Sequence, residues 1–127
     1  MAGELSKETL GEIIESLPVE ISFVDKDDTV RFYNKDGSRI FPRSPSVIGL
    51  KVQNCHPQKS LAAVNQILAD FKSGKRDSAE FWINMHGKFV YIRYFPVRDA
   101  KGEYLGCLEV TQDITRIKTL EGEKRLL

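Results

Sequence analysis

Between Ser78 and Gln112, apolar and polar positions alternate in three runs parted by two short polar clusters that contain glycine. The runs are Ser78–Asn84, Phe89–Val97 and Tyr104–Gln112; the separators are Met85-His-Gly-Lys88 and Arg98-Asp-Ala-Lys-Gly102. Aromatic and β-branched residues fill the runs, which predicts an antiparallel three-stranded meander. Setting Ile83 opposite Val90 and Ile92 opposite Val110 gathers Ala79, Phe81, Ile83, Val90, Ile92, Tyr94, Leu108 and Val110 on one face, because side chains alternate with a period of two. The other face then carries Glu80, Trp82, Tyr91, Arg93, Cys107, Glu109 and Thr111, with Arg93 between two carboxylates in a solvated row of cross-strand pairs. A bulge near Gly106 would reverse the faces of the last run, turn Cys107, Glu109 and Thr111 inward, and make any pocket there polar.

The apolar face needs a cover, and the rest of the chain supplies candidates. Leu10, Ile13, Ile14 and Leu17 form one helical stripe that begins at Ser6, an acceptable N-cap, and ends at Pro18. Glu20–Asp25 and Thr29–Asn34 alternate around Lys26-Asp-Asp28 and predict a hairpin. From Lys35 to Pro57, scattered glycines and prolines leave room only for one-turn helices. Ser60 is the predicted N-cap of a helix over Leu61–Lys72, whose stripe is Leu61, Val64, Ile67, Leu68 and Phe71, with Ser73-Gly74 closing it. That helix is the expected roof of the sheet. After Thr115, Ile117, Leu120, Lys124 and Leu127 share one side of a predicted exit helix.

These elements predict an α+β fold: a five-stranded antiparallel sheet with helices over one face, flanked by N- and C-terminal amphipathic helices. The expected division is a flanking helix over 1–17, one domain over 18–115, and an exit helix over 116–127. With 127 residues, one core is large enough to fold without disulfides or metal. Charged residues make up 29% but the net charge is +1, so no polybasic face draws the chain to nucleic acid or to anionic lipid. No apolar run reaches the ~20 residues of a membrane span, and a signal-peptide core is absent, so the expected setting is soluble and cytoplasmic. Cys55 and Cys107, with no CxxC spacing, fit a reduced compartment as small buried hydrophobes.

The ordered set Ile21-Ser-Phe-Val-Asp25, Val30-Arg-Phe-Tyr-Asn34, Val47-Ile-Gly49, His56-Pro57, Pro96–Gly102, Gly106 and Asp113-Ile-Thr115 resembles a PAS domain over residues 18–115. The block Gly37–Ser46 with Cys55-His-Pro57 is similar to PAS domains attached to prokaryotic hemerythrin-like proteins. The resemblance implies a sensory or docking module without catalysis. It implies a cavity between sheet and helices, and flanking helices that pass a signal to an output or hemerythrin-like domain of the same parent chain. It also places Asp113 and Thr115 where the last strand becomes the exit helix, as short polar side chains able to cap its first turn.

The expected cavity wall is Phe23, Phe32, Ile40, Phe41, Val52, Cys55, His56, Leu61, Val64, Ile67, Phe81, Ile83, Val90, Ile92, Tyr94, Leu108 and Val110. Its expected occupant is a small, largely apolar molecule, or none, in which case the module serves dimerisation or interaction alone. Arg39 and Arg43, around Phe41-Pro42, could meet an anionic headgroup. His56 as the axial ligand of a haem-based sensor is a competing reading. It is outweighed by a structural hydrogen bond, because the histidine of haem-binding relatives lies on the long helix, where this chain has none. A flavin photosensor is disfavoured: Cys55 lies six residues after Gly49 rather than about three and is followed by His-Pro, and Val90, Ile92 and Tyr94 stand where polar amides are needed. Two histidines, His56 and His86, are too few for a Cys/His metal site. The amphipathic flanking helices predict a homodimer.

Overall fold

A computed structural model describes residues 1–127. Helix α1 (Lys7–Ser16) begins as predicted at Ser6, whose side chain accepts the Thr9 amide at 3.0 Å. Strands β1 (Glu20–Asp25) and β2 (Val30–Tyr33) form the first hairpin, and Asp25 closes its turn by accepting the Asp27 amide at 2.9 Å and the Thr29 amide at 3.1 Å. One-turn 3-10 segments at Pro45–Val47 and Val52–Cys55 are the only regular pieces of the linking stretch. Helix α2 (Gln58–Ser73) and strands β3 (Ala79–Met85), β4 (Lys88–Arg98) and β5 (Tyr104–Asp113) complete the predicted α+β arrangement.

Helix α2 starts three residues earlier than predicted. Pro57, at φ −59° and ψ 147°, occupies the N-cap, and Ser60 lies inside the first turn, where its hydroxyl donates to the Pro57 carbonyl at 3.2 Å. Proline suits a helix entrance because its φ is already set and no helical donor is needed there. At the other end Gly74 takes the left-handed conformation, φ +77°, and returns its N–H to the Asp70 and Phe71 carbonyls.

The sheet order is β2-β1-β5-β4-β3, antiparallel throughout. The long connection from β2 to β3 crosses one face and lays α2 on it. Val30, Val52, Ile67, Leu68, Phe71, Ala79 and Cys107 form the buried cluster between them. Phe71 is fully enclosed, a burial that stabilises the fold by about 1.5–3 kcal/mol.

Ile83 does pair with Val90, but Ile92 pairs with Thr111 rather than Val110. The turn sets one register, Arg98 opposite Tyr104, and the next pair is Val97 with Gly106. Leu105 is therefore an extra residue, a bulge that shifts the rest of β5 by one position and exchanges its faces. Cys107, Glu109 and Thr111 turn toward α2, and Leu108 and Val110 turn away. Arg93 accordingly does not sit between two carboxylates. It pairs across from Glu80 on one side and Val110 on the other, with its guanidinium over the rings of Tyr91 (5.0 Å) and Phe95 (5.6 Å).

The exit helix expected over 116–127 does not form. A single 3-10 turn at Ile117–Thr119 is followed by irregular chain in which Gly122 adopts φ +62°. Ile117 and Leu120 are 49% and 60% exposed. Without a surface to bury this stripe, so short a helix has too little to hold it together.

Candidate functional site

A cavity lies between α2 and the β1–β5–β4 part of the sheet, with about 40 Å³ of room for water centres. At ~10–15 Å³ per water, that is space for about three. Its apolar side is drawn from Val24 and Val30 of the first hairpin, Val52, and Val64, Ile67 and Leu68 of α2. Its polar side is Ser22 of β1, Tyr94 of β4, Cys107 and Glu109 of β5, His56 and Arg43. The one-residue bulge in β5 creates this polar side, because it brings Cys107 and Glu109 in where Leu108 and Val110 would otherwise stand.

Segment 39–43 straps the adjoining end of the sheet. Arg39 anchors it: Nη1 donates to the carbonyls of Ile21 (3.2 Å) and Asn34 (2.9 Å), Nε donates to Phe41 O (3.2 Å), and Nη2 faces Glu20 at 3.6 Å. Glu20 in turn accepts the Ile40 amide. Buried charges of this kind persist only when paired and hydrogen-bonded; in Arg39, Nη2 is the nitrogen without a hydrogen bond, held only by the charge of Glu20. Of the two arginines expected to contact an anion, Arg43 lines the cavity and Arg39 does not. Arg43 is held loosely. One contact, Nη2 to Glu109 Oε1 at 3.4 Å, ties it to the sheet, and its Nε is buried without a partner.

Burial, with the neighbouring charge of Glu109, holds the Tyr94 hydroxyl far above its ordinary range. Burial first, then Glu109 and Asp28, pushes the Cys107 thiol up to about 12. Both groups are neutral at physiological pH, so Cys107 offers no thiolate for chemistry. His56 Nδ1 lies 3.0 Å from the Val52 carbonyl. A carbonyl only accepts, which places a proton on Nδ1 and gives His56 the structural hydrogen bond anticipated for it.

Of the residues expected on the cavity wall, the structure brings together Val52, His56, Val64, Ile67 and Tyr94, and Arg43 beside them. Phe23 and Phe32 pair with each other on the opposite face, where Phe23 also meets Leu108, and Val110 shares that side. Phe81, Ile83, Val90 and Ile92 share the inner face but lie beyond the cavity; of β3, Ala79 joins the core cluster with α2, while Phe81 and Ile83 are 42% and 40% exposed. Ile40 and Phe41 belong to the strap, and Leu61 is half-buried outside the cavity. Cys55 packs against the core with its thiol toward Lys51 O at 3.7 Å. It is not on the wall, which removes the geometry that flavin addition needs. A porphyrin does not fit a space of this size either, and His56 spends one ring nitrogen on Val52. Ser22, Val24, Val30 and Leu68 are wall residues that sequence reasoning missed, whereas the alternative of a bulge near Gly106 already carried Cys107 and Glu109.

Asp113 and Thr115 do not cap a helix. Asp113 Oδ1 accepts from the Thr115 amide (3.0 Å) and hydroxyl (2.5 Å), and Thr115 Oγ1 accepts the Phe89 amide at 2.8 Å. Ile114 N donates to Phe89 O at 2.8 Å, and Lys118 Nζ sits 3.6 Å from the Phe89 ring centre. The motif knots the end of β5 to the start of β4.

A family model described as PAS domain matches residues 10–115. The crystal structure of a C-terminal domain from Streptococcus mutans is 40% identical at a TM-score of 0.88, covering 94% of this chain and 92% of that one. The PAS domain of BvgS from Bordetella pertussis is 21% identical at a TM-score of 0.63, covering 85% of each chain. A sensory box sensor histidine kinase from Vibrio cholerae is 14% identical at a TM-score of 0.59, covering 86% of this chain and 91% of that one. At these identities the latter two share the fold with this chain. No curated protein matches it.

Proposed function

Since the chain belongs to the PAS domain family, we propose that it is a sensory or regulatory module that takes a small molecule between α2 and the sheet and relays its presence through the flanking segments. The observation that carries this reading is the cavity itself, which has an apolar side, a polar side and a loosely held ion pair in its wall. A cavity that stays empty is lined by apolar atoms, whereas a recognition site combines apolar walls with a few placed polar groups. The sensor histidine kinase among the structural neighbours agrees with a signalling role.

The relay runs toward α1. The Asn34 side chain accepts the Ile21 amide at 2.7 Å and donates to Ile14 O (3.0 Å) and Val19 O (3.2 Å), so it links the last turn of α1 to β1. Arg39, the strap anchor, donates to the Asn34 carbonyl. Movement of the strap is thus passed to α1 through two residues. Asp113 and Thr115 serve the same purpose at the other terminus by fixing where the chain leaves β5. The Streptococcus mutans relative is a C-terminal domain, which supports placing an output domain of the parent chain on the α1 side. Leu10 and Ile13 of α1, 43% and 44% exposed, are the surface through which two copies would pair. No helix is long and apolar enough to cross a membrane, in keeping with a cytoplasmic setting.

The test is a two-dimensional amide NMR screen against fragments of up to about six heavy atoms, each small enough for the site. Shifts at Val52, Val64, Ile67 and Tyr94 that vanish in Val64→Phe are expected. A spectrum left unmoved by every fragment and by xenon overturns the reading.

A further inference from the structure

The polar wall of the cavity contains one cation and one anion, and neither is fully used. Arg43 and Glu109 are 15% and 12% exposed at their side chains and meet through a single 3.4 Å contact, longer than a good charge-assisted hydrogen bond. Arg43 Nε has no partner and no contact with solvent. A guanidinium offers five donors and a carboxylate about four acceptor sites, so the pair presents unspent donors and unspent acceptors side by side. A buried donor left unsatisfied is costly to the fold, and a bound acceptor relieves that cost.

Charge decides what kind of molecule suits this wall. The pair is neutral as a whole, and the neighbouring Tyr94 and Cys107 carry no charge. An anion would satisfy Arg43 while setting its charge against Glu109; a cation would do the reverse. Either one adds a third charge to a partly desolvated site, where it is penalised. A neutral group that accepts from Arg43 and donates to Glu109 avoids both penalties. Size decides the rest: room for about three waters, each with a liquid share of about 30 Å³, corresponds to on the order of five or six non-hydrogen atoms.

We infer that the cavity takes a small neutral molecule with a short branched aliphatic body and one end that carries both an acceptor and a donor, the chemistry of a short carboxamide. The body lies against Val24, Val52, Val64 and Ile67, and the head lies between Arg43 and Glu109. This deepens the proposed function and rests on its reading of the cavity as a ligand site. It replaces the largely apolar ligand expected from the sequence, because the bulge in β5 put Glu109 into the wall.

Amide NMR titrations with isobutyramide, isobutyrate and isobutylammonium, nearly the same size and differing in head charge, test the inference directly. Isobutyramide is expected to shift the amides of Val64, Ile67 and Tyr94 and to bind at least about tenfold more tightly than either ion. Arg43→Met, which leaves Glu109 alone, is expected to move the preference to isobutylammonium, and Glu109→Gln to isobutyrate. Equal binding of the three, or tighter binding of either ion to the unmodified chain, overturns the inference, and this comparison needs no variant to fold. Xenon separates the two levels of the claim. If xenon shifts the cavity amides and isobutyramide does not, the carboxamide class is wrong and the ligand-site reading stands; if neither does, both fall.

Discussion

Replacing Gly106 by alanine tests the bulge on which the polar wall depends. Gly106 sits where β5 passes closest to β1, opposite Asp25. A Cβ there would lie 2.1 Å from the Val24 carbonyl oxygen and 2.6 Å from the Phe23 ring. Ordinary contact begins at 3.4 Å, so the two strands would have to part by more than 1 Å along a central pairing of the sheet. The backbone at φ +155° adds a conformation that side-chain-bearing residues rarely adopt. Overpacking and backbone strain together give a loss of about 2–4 kcal/mol, a large part of the ~5–15 kcal/mol available to a domain. In urea, with a slope of about 1–3 kcal/mol per molar, the midpoint should fall by about 0.7–4 M. Gly11→Ala is the control: nothing lies within 4 Å of its added Cβ and it sits inside α1, so its midpoint should hold or rise, by up to about 1 kcal/mol in stability. A Gly106→Ala midpoint equal to that of the unmodified chain would refute the close approach, and with it the reason that Cys107, Glu109 and Thr111 face α2.

Three further predictions follow from the packing and titration of the fold. Phe71→Ala should cost about 3–5 kcal/mol in urea unfolding, because the ring is fully enclosed; a loss below ~1 kcal/mol would show that α2 is not seated on the sheet. Asp70 accepts from Gln66 at 2.8 Å and Arg76 at 2.9 Å, and the Gln66 bond, opposed by burial and aided by Arg76, holds its carboxyl below the ordinary 3.8. Its stabilising effect is therefore complete above that value and lost as pH falls through the lowered folded pKa, so Asp70→Asn should flatten the acid limb of a stability–pH curve; an unchanged limb contradicts this. Iodoacetamide should modify half-buried Cys55 in the native state and spare Cys107, 5% exposed with its thiol pushed up to about 12. Mass spectrometry showing Cys107 modified first would contradict its burial.

The element order was legible because local signals coincide with the final structure. Ser6 caps α1, the stripe from Val64 to Phe71 marks the buried side of α2, and the turn at His86-Gly87 sets β3 against β4 in the expected register. The cavity wall was less legible, for two physical reasons. One residue, Leu105, reverses every side chain after it; Gly106 announced that a bulge could stand there, but period-two patterning does not decide whether it forms. In β1 both faces carry apolar residues, Ile21 and Phe23 on one and Val24 on the other, so size favoured the phenylalanine and the structure uses the valine. The Arg43–Glu109 pair joins residues 66 positions apart, and no local pattern announces such a contact. The exit segment failed for the opposite reason: its stripe is present, yet a stripe makes a helix only where something receives it.

Isotope-filtered nuclear Overhauser contacts from bound isobutyramide to the methyl groups of the chain measure the site most directly. They should connect the ligand's isopropyl methyls to Val52, Val64 and Ile67 and leave Leu108 and Val110 silent. Contacts to Leu108 or Val110 instead would put the ligand on the other face of the sheet and contradict the account.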